Sequence, residues 1–172
     1  MEIVANNFFE LEAFDVENNL RSLSEFSGKV VLVVNTASRC GFTKQYAALE
    51  QLYRRFGHAG FTVLAFPSND YANQEPISDQ DIKNFCQINY DVTFPIFSKN
   101  HVSGPDKQAV FKFLTEHGPA RFRGDPGWNF VKFLISRSGT VVGRYAALSN
   151  PLGGRIVRAI ERELAAQASP QI

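Results

Sequence analysis

The side chains in this chain best suited to nucleophilic chemistry are its two cysteines. Cys40 lies in NTASRCGFTKQY, shortly after the apolar run Val30 to Val34 and just ahead of a helical periodicity. A thiol near a helix N-terminus meets unpaired N–H groups and the positive end of the helix dipole. Arg39 and Lys44 stand close in sequence, and each of these influences favours the thiolate, the reactive form. The competing reading is a small buried apolar cysteine, but the turn after a central strand is where ligands and chemistry gather in an α/β sheet, which favours a reactive thiol. Cys86 shares a helical face with Ile82 and neighbours Phe85, so it reads as core packing. It is too distant from Cys40 for a C-x-x-C pair. Taken singly, Gln74, Trp128 and Asn129 read as a loop amide, a core indole and a turn asparagine.

The elements that must position Cys40 are legible around it. GKVVLVVN has a continuous Val/Leu core without polar alternation, the pattern of a central strand buried on both faces. From Tyr46, apolar Leu49, Leu52, Tyr53 and Phe56 recur at helical spacing, with Thr43 placed to cap the start and Gly57 or Gly60 to end the helix. GFTVLAF predicts a second buried strand that stops at Pro67. The polar loop FPSNDYANQEP leads to Ser78, an N-cap with Asp81 three residues on, and a short amphipathic helix from Ser78 to about Ile88 that contains Cys86. TFPIF is a short strand candidate and DKQAVFKFLTEHG a helix. NFVKFLISRSGTVVGRYA predicts a hairpin, and a last helix runs from about Leu152 to Ala166. This order implies an α/β protein with a mixed central sheet flanked by helices, and the thioredoxin-like fold, with an N-terminal strand extension, fits it best.

Composition narrows the function classes. The 172 residues suit one domain, 1–172, able to bury its own core. Charged residues make up 20% and the formal net charge is +1 without a basic run, which excludes an electrostatic footprint for nucleic acid or an anionic membrane. No apolar stretch approaches the ~20 residues that span a bilayer, and the acidic N-terminal MEIVANNFFELEAF does not read as a secretory signal, so a cytoplasmic location is expected. Two cysteines in a reducing compartment argue against a permanent bridge. With His58, His101 and His117 scattered singly, they also argue against a zinc site.

Four stretches, NTASRCGFT, FPSNDYANQEP, NFCQINYDVTFPIF and WNFVKFLISRSGTVVGRY, occur in the order found in the glutathione peroxidase family, which the chain resembles from about Phe9 to Pro151. The resemblance implies that Cys40 is the peroxidatic residue and that Gln74, Trp128 and Asn129 complete a catalytic tetrad. All three carry neutral donors able to stabilise a thiolate and a departing oxyanion. Attack of the Cys40 thiolate on a peroxide O–O bond then yields a sulfenic acid and water or an alcohol, with no cofactor required. NFCQINYDV resembles the branch in which this helix carries a resolving cysteine. That assigns to Cys86 an internal disulfide with Cys40, recycled by thioredoxin.

The alternatives are a glutathione-dependent peroxidase with Cys86 merely packed, and a peroxide-sensing relay that oxidises a protein partner. Some positions depart from the family pattern: Ser68 replaces a third cysteine, Asp70 and Tyr71 replace a glutamine and a phenylalanine, and Ser103 and Ala109 replace an asparagine and a proline. Asp70 adds a negative charge near the loop that holds Gln74. The segment from Pro95 to Trp128 is short beside the tetrameric glutathione-using members, which implies a monomer or weak dimer and access for hydrogen peroxide and for organic or lipid hydroperoxides.

Overall fold

A computed structural model describes residues 5–166; the ends of the expected 1–172 domain lie outside these. The elements in order are β1 (Glu12–Phe14), β2 (Leu20–Ser22), β3 (Val30–Thr36), α1 (Gln45–Phe56), β4 (Phe61–Pro67), α2 (Asp79–Tyr90), α3 (Ala109–Glu116), β5 (Lys132–Ile135), β6 (Val141–Tyr145) and α4 (Gly154–Ala165). β1 and β2 pair antiparallel as the N-terminal strand extension, and the main sheet has the order β4-β3-β5-β6. β3 runs parallel to β4, from Val30 opposite Phe61 to Thr36 opposite Pro67, and antiparallel to β5, with Val33 opposite Phe133. The β5–β6 hairpin closes the antiparallel edge.

The mixed sheet flanked by helices is that of the thioredoxin-like fold, and β3 shows why the strand reads as unbroken apolar sequence. Every residue from Val30 to Thr36 is buried, and successive side chains enter opposite layers. Val31 and Val33 pack with Phe66, Phe97, Phe111 and Phe133 on the α3 side. Val30, Leu32 and Val34 pack with Tyr46, Leu49, Ile82 and Ile156 on the side of α1, α2 and α4. Among the described residues no helix is long and apolar enough to cross a membrane.

Two local expectations change. TFPIF forms no strand: Ile96 and Phe97 make isolated bridges to Ala65 and Asp15, because Pro95 has no N–H to extend a ladder along β4. Thr43 does not cap α1, whose N-cap is Lys44 without a side-chain hydrogen bond; its hydroxyl serves the preceding turn instead. Gly57 closes α1, and Gly60, at φ +98°, supplies the left-handed residue that ends the short helical turn after it. Ser78 caps α2 as its sequence implies, its hydroxyl accepting from Asp81 N at 3.2 Å.

One buried charge ties the sheet to the last turn. Lys132 of β5 is fully buried, and its Nζ donates to the carbonyls of Ala146, Ala147 and Ser149 at 3.3, 3.0 and 2.8 Å. Burial pushes the ammonium down to about 7, while three carbonyls for three N–H donors favour its charged form. Replacing Lys132 with Met strands those carbonyls. It is expected to lower the urea midpoint at an unchanged m-value, with a loss on the order of 3 kcal/mol, and to speed amide exchange over 146–149. An unaltered midpoint would show that the turn holds itself.

Candidate active site

The apolar run of β3 ends at Asn35, a fully buried amide. Its Nδ2 donates to Trp128 O at 2.7 Å and its Oδ1 accepts from Val131 N at 3.1 Å. Its own carbonyl accepts from Phe130 N at 2.6 Å. The end of β3 thus grips the turn 128–131, including Phe130 at φ +64°, a conformation unusual for a bulky residue. Trp128 and Asn129 therefore stand beside the segment that leads from β3 to Cys40.

Cys40 is half-buried in the turn before α1, with a free thiol. Thr43 Oγ1 accepts from Cys40 N at 2.9 Å and donates to Ala37 O at 2.8 Å, which shapes that turn. Phe42 N donates to Cys40 Sγ at 3.4 Å. Arg39 and Lys44 both face solvent, where their attraction for a thiolate is screened, so the turn amide is the closer source of stabilisation. Gln74 is held from both sides. Its carbonyl accepts from Arg39 N at 2.9 Å, and its Oε1 accepts from Asn129 Nδ2 at 3.0 Å, which leaves the Gln74 amide N–H groups as donors. Trp128, 36% exposed, is no core residue. Its ring lies 6.1 Å from that of Tyr71, on an open groove of about 770 Å³ lined also by Phe42, Phe122, Val131 and Leu148, with Arg121 and Arg155 among its lining residues. The fold brings Gln74 and Asn129 into direct contact and joins Cys40 to Gln74 through Arg39. Among the described residues, the hydrogen bond to Cys40 Sγ comes from Phe42 rather than from Gln74, Trp128 or Asn129.

Cys86 occupies a different environment. It is fully buried in α2 with a free thiol, and burial pushes its pKa up to about 12, opposed by the neighbouring Tyr46 phenol and reinforced by the charge of Glu75. Among the described residues the Tyr46 hydroxyl makes no hydrogen bond of normal geometry, so its contact with the thiol is weak. Glu75 follows Gln74 directly and is fully buried; Ser38 Oγ donates to its Oε1, and its Oε2 has no hydrogen-bond partner among the described residues. Burial pushes this carboxyl up to about 7 against the opposing pull of Ser38, Lys99 and Arg39.

Asn35, Tyr71 and Glu75 carry the site, and residue-type reasoning passes over them. Asn35 is signalled only by a polar residue closing an apolar strand, and Glu75 by its place beside Gln74. Tyr71, whose hydroxyl accepts from Gly127 N at 2.9 Å, is signalled by its departure from phenylalanine.

A half-buried thiol on the turn after the central strand of such a sheet marks a thiol-dependent oxidoreductase of the thioredoxin fold. Solved structures agree on the fold: a thiol:disulfide interchange protein of the thioredoxin family from Chlorobium tepidum covers 96% of this chain at a TM-score of 0.66, with 16% identity. The particular family emerges from closer comparisons. The glutathione peroxidase profile matches residues 8–115. A hydroperoxy fatty acid reductase (gpx1) of Synechocystis sp. is 48% identical, spanning 85% of this chain and 90% of its own. A glutathione peroxidase-like peroxiredoxin (gpx1) of Schizosaccharomyces pombe is 46% identical, spanning 85% and 92%. The apo crystal structure of Trgpx, 36% identical, covers 95% of this chain and 99% of that one at a TM-score of 0.77. The chain belongs to the glutathione peroxidase family and is a thiol peroxidase that reduces hydroperoxides.

The raised carboxyl of Glu75 carries a pH signature. Its folded value near 7 exceeds the ordinary 4.5, so this contribution to stability is full below pH 4.5 and is lost as pH rises through 7, a change on the order of 3 kcal/mol. Glu75→Gln cannot ionise. The drop in melting temperature between pH 4.5 and 8 is expected to be shallower in this variant than in the wild type, as read by calorimetry; superimposable profiles would contradict the assignment.

Proposed function

We propose that Cys40 is the peroxidatic nucleophile, with Gln74, Trp128 and Asn129 as its donor partners and Cys86 as the resolving thiol, all within one domain spanning 1–172. The observation that carries this reading is the pair of free thiols, one half-exposed on the turn, the other buried in the helix that follows the Gln74 loop. The Cys40 thiolate attacks the terminal peroxide oxygen; the O–O bond breaks, the thiolate becomes a sulfenic acid, and the alkoxide leaves as an alcohol after taking a proton. Gln74 and Trp128 offer N–H groups to the departing oxyanion, and the Asn129–Gln74 bond holds the glutamine amide in place. The Cys86 thiol then displaces water from the sulfenic acid to form a Cys40–Cys86 disulfide, which a dithiol reductant opens.

Thioredoxin is that reductant. The peroxiredoxin-like relatives support it, as do two cysteines within one chain. The substrates are hydrogen peroxide and organic or lipid hydroperoxides. The apolar groove beside Trp128, with Arg121 and Arg155 to meet a carboxylate, suits an acyl hydroperoxide, the substrate named for the Synechocystis relative. The enzyme acts in the cytoplasm as a monomer or weak dimer, within the response to oxidative stress.

Full burial of Cys86 favours a second reading, in which glutathione reduces Cys40 directly and Cys86 only packs. A thiol at about 12 is inert where it stands, so resolution by Cys86 requires α2 to open in each cycle. Three measurements separate the readings. One equivalent of peroxide is expected to remove both thiols and two hydrogens from the protein mass, and Cys86→Ser to retain the first turnover but lose thioredoxin-coupled NADPH oxidation by at least about 100-fold. Hydrogen exchange over 79–90 is expected to be faster in the oxidised protein. Full thioredoxin-dependent turnover in Cys86→Ser would sink the resolving role.

A further inference from the structure

The loop that carries Gln74 and the loop that carries Trp128 and Asn129 are distant in sequence, and the turn 101–104 connects them. Asp70, in the first loop, has a carboxylate only 15% exposed. It accepts from Val102 N at 2.7 Å and Ser103 N at 3.1 Å through one oxygen, and meets His101 Nδ1 at 2.7 Å through the other. Its own N–H donates to Ser68 Oγ at 3.2 Å. Asp125, in the second loop, accepts from Gly104 N at 3.1 Å, Ser103 Oγ at 3.2 Å and Lys107 Nζ at 2.7 Å. Two carboxylates from two loops therefore grip consecutive amides of one turn, and Ser103 bonds to both: its N–H to Asp70 and its hydroxyl to Asp125.

A second link runs directly between the loops, from Gly127 N to Tyr71 Oη at 2.9 Å. The far side of the Trp128 loop is fixed to the sheet, where the Arg144 guanidinium of β6 donates to Gly124 O at 2.6 Å and Asp125 O at 2.8 Å. Charged acceptors make the stronger hydrogen bonds, and at Asp70 partial burial spares them from screening by salt. Each loop has its own anchor on the sheet side, but without this clasp the Gln74–Asn129 bond at the reacting end would be the hydrogen bond left, among the described residues, to set one loop against the other.

We propose that Asp70 and Asp125 are positioning residues for the peroxide step: by holding the turn 101–104 between them, with Tyr71 as a strut, they keep Gln74 in register with Trp128 and Asn129. This rests on the proposed role of those three side chains in that step. None of the clasping residues touches the reacting atoms. Small displacements of such donors are amplified in rate, because an oxyanion is stabilised only by groups already in place.

The test uses the full-length protein, with two chemistries at Cys40 and the sole tryptophan, Trp128, as reporter. Attack on a peroxide needs the donors around the leaving oxygen, whereas alkylation by iodoacetamide needs only the thiolate. Asp70→Asn and Asp125→Asn are each expected to lower the second-order rate with hydrogen peroxide about 10-fold or more, to change iodoacetamide alkylation less than about 3-fold, and to shift Trp128 emission. If both grip the same turn, the double variant loses little more than the worse single variant; independent effects would multiply. Tyr71→Phe, which removes one hydroxyl and keeps the ring, is expected to shift the emission and slow the peroxide step about 3-fold. A lower melting temperature with an unchanged peroxide rate, equal losses in both chemistries, or multiplicative effects would overturn the proposal. Gln74→Ala serves as the control: if it leaves the peroxide rate intact, the proposed role of Gln74 fails, whereas a slow Gln74→Ala beside a normal Asp70→Asn rejects the clasp alone.

Discussion

The geometry of this site depends on one buried amide. An asparagine at the end of an otherwise apolar strand is penalised on folding unless its polar atoms find partners, and Asn35 finds them in Trp128 O and Val131 N. The pairing works in both directions. It satisfies the strand end, and it fixes the turn that carries Trp128 and Asn129 against the strand from which the chain runs on to Cys40. With Phe130 N also bound to Asn35 O, the unusual backbone of Phe130 is set by the sheet. The rigidity of the turn that carries Trp128 and Asn129 is thus borrowed from β3, a strand buried along its whole length by packing on both sides.

Around that frame the fold gives two cysteines opposite characters. Cys40 has a turn amide on its sulfur and a half-open surface, while Cys86 is enclosed among apolar side chains with a phenol and a carboxylate nearby. Burial that holds a thiol near 12 protects it from adventitious oxidation, since the thiolate is the form that reacts. Glu75 sharpens the contrast, because its negative charge works against a thiolate at Cys86 while its hydrogen bond to Ser38 braces the segment just before Cys40. One buried carboxyl therefore acts on both thiols: it adds to the burial that holds one dormant and helps to place the other.

What the sequence discloses follows from the range of the interactions involved. β3, β4, α1 and the hairpin are readable because burial on both faces or on one stripe leaves a periodic trace in contiguous residues. Ser78 is readable because a cap acts within one turn. Thr43 is the instructive failure: hydroxyl, position and neighbours all fit a cap, yet its oxygen is engaged by Cys40 N and Ala37 O, a competition that no propensity encodes. Asn35 and Trp128 lie 93 residues apart, so nothing local announces their bond. The burial of Lys132 escapes for the same reason, because its three acceptors belong to a turn beyond the next strand. Gln74, Trp128 and Asn129 are singled out by the family resemblance alone, since as isolated residue types they look ordinary.

Four of the five departures from the family pattern, Ser68, Asp70, Tyr71 and Ser103, look unrelated in sequence, but in space they support one another. A carboxylate at position 70 is expensive in a partly buried loop unless hydrogen bonds meet it, and the turn 101–104 supplies two backbone N–H groups and an imidazole. That engagement turns the charge of Asp70 toward the turn and raises the pKa of His101 through their hydrogen bond. Serine at 68 accepts the Asp70 amide, serine at 103 donates to Asp125, and tyrosine at 71 accepts the Gly127 amide. Reversion at position 70 alone would place an amide, with its surplus N–H groups, where backbone donors already converge. Each polar group is therefore tolerable because another supplies its partner, which ties these departures together as one set across the two loops that flank Cys40.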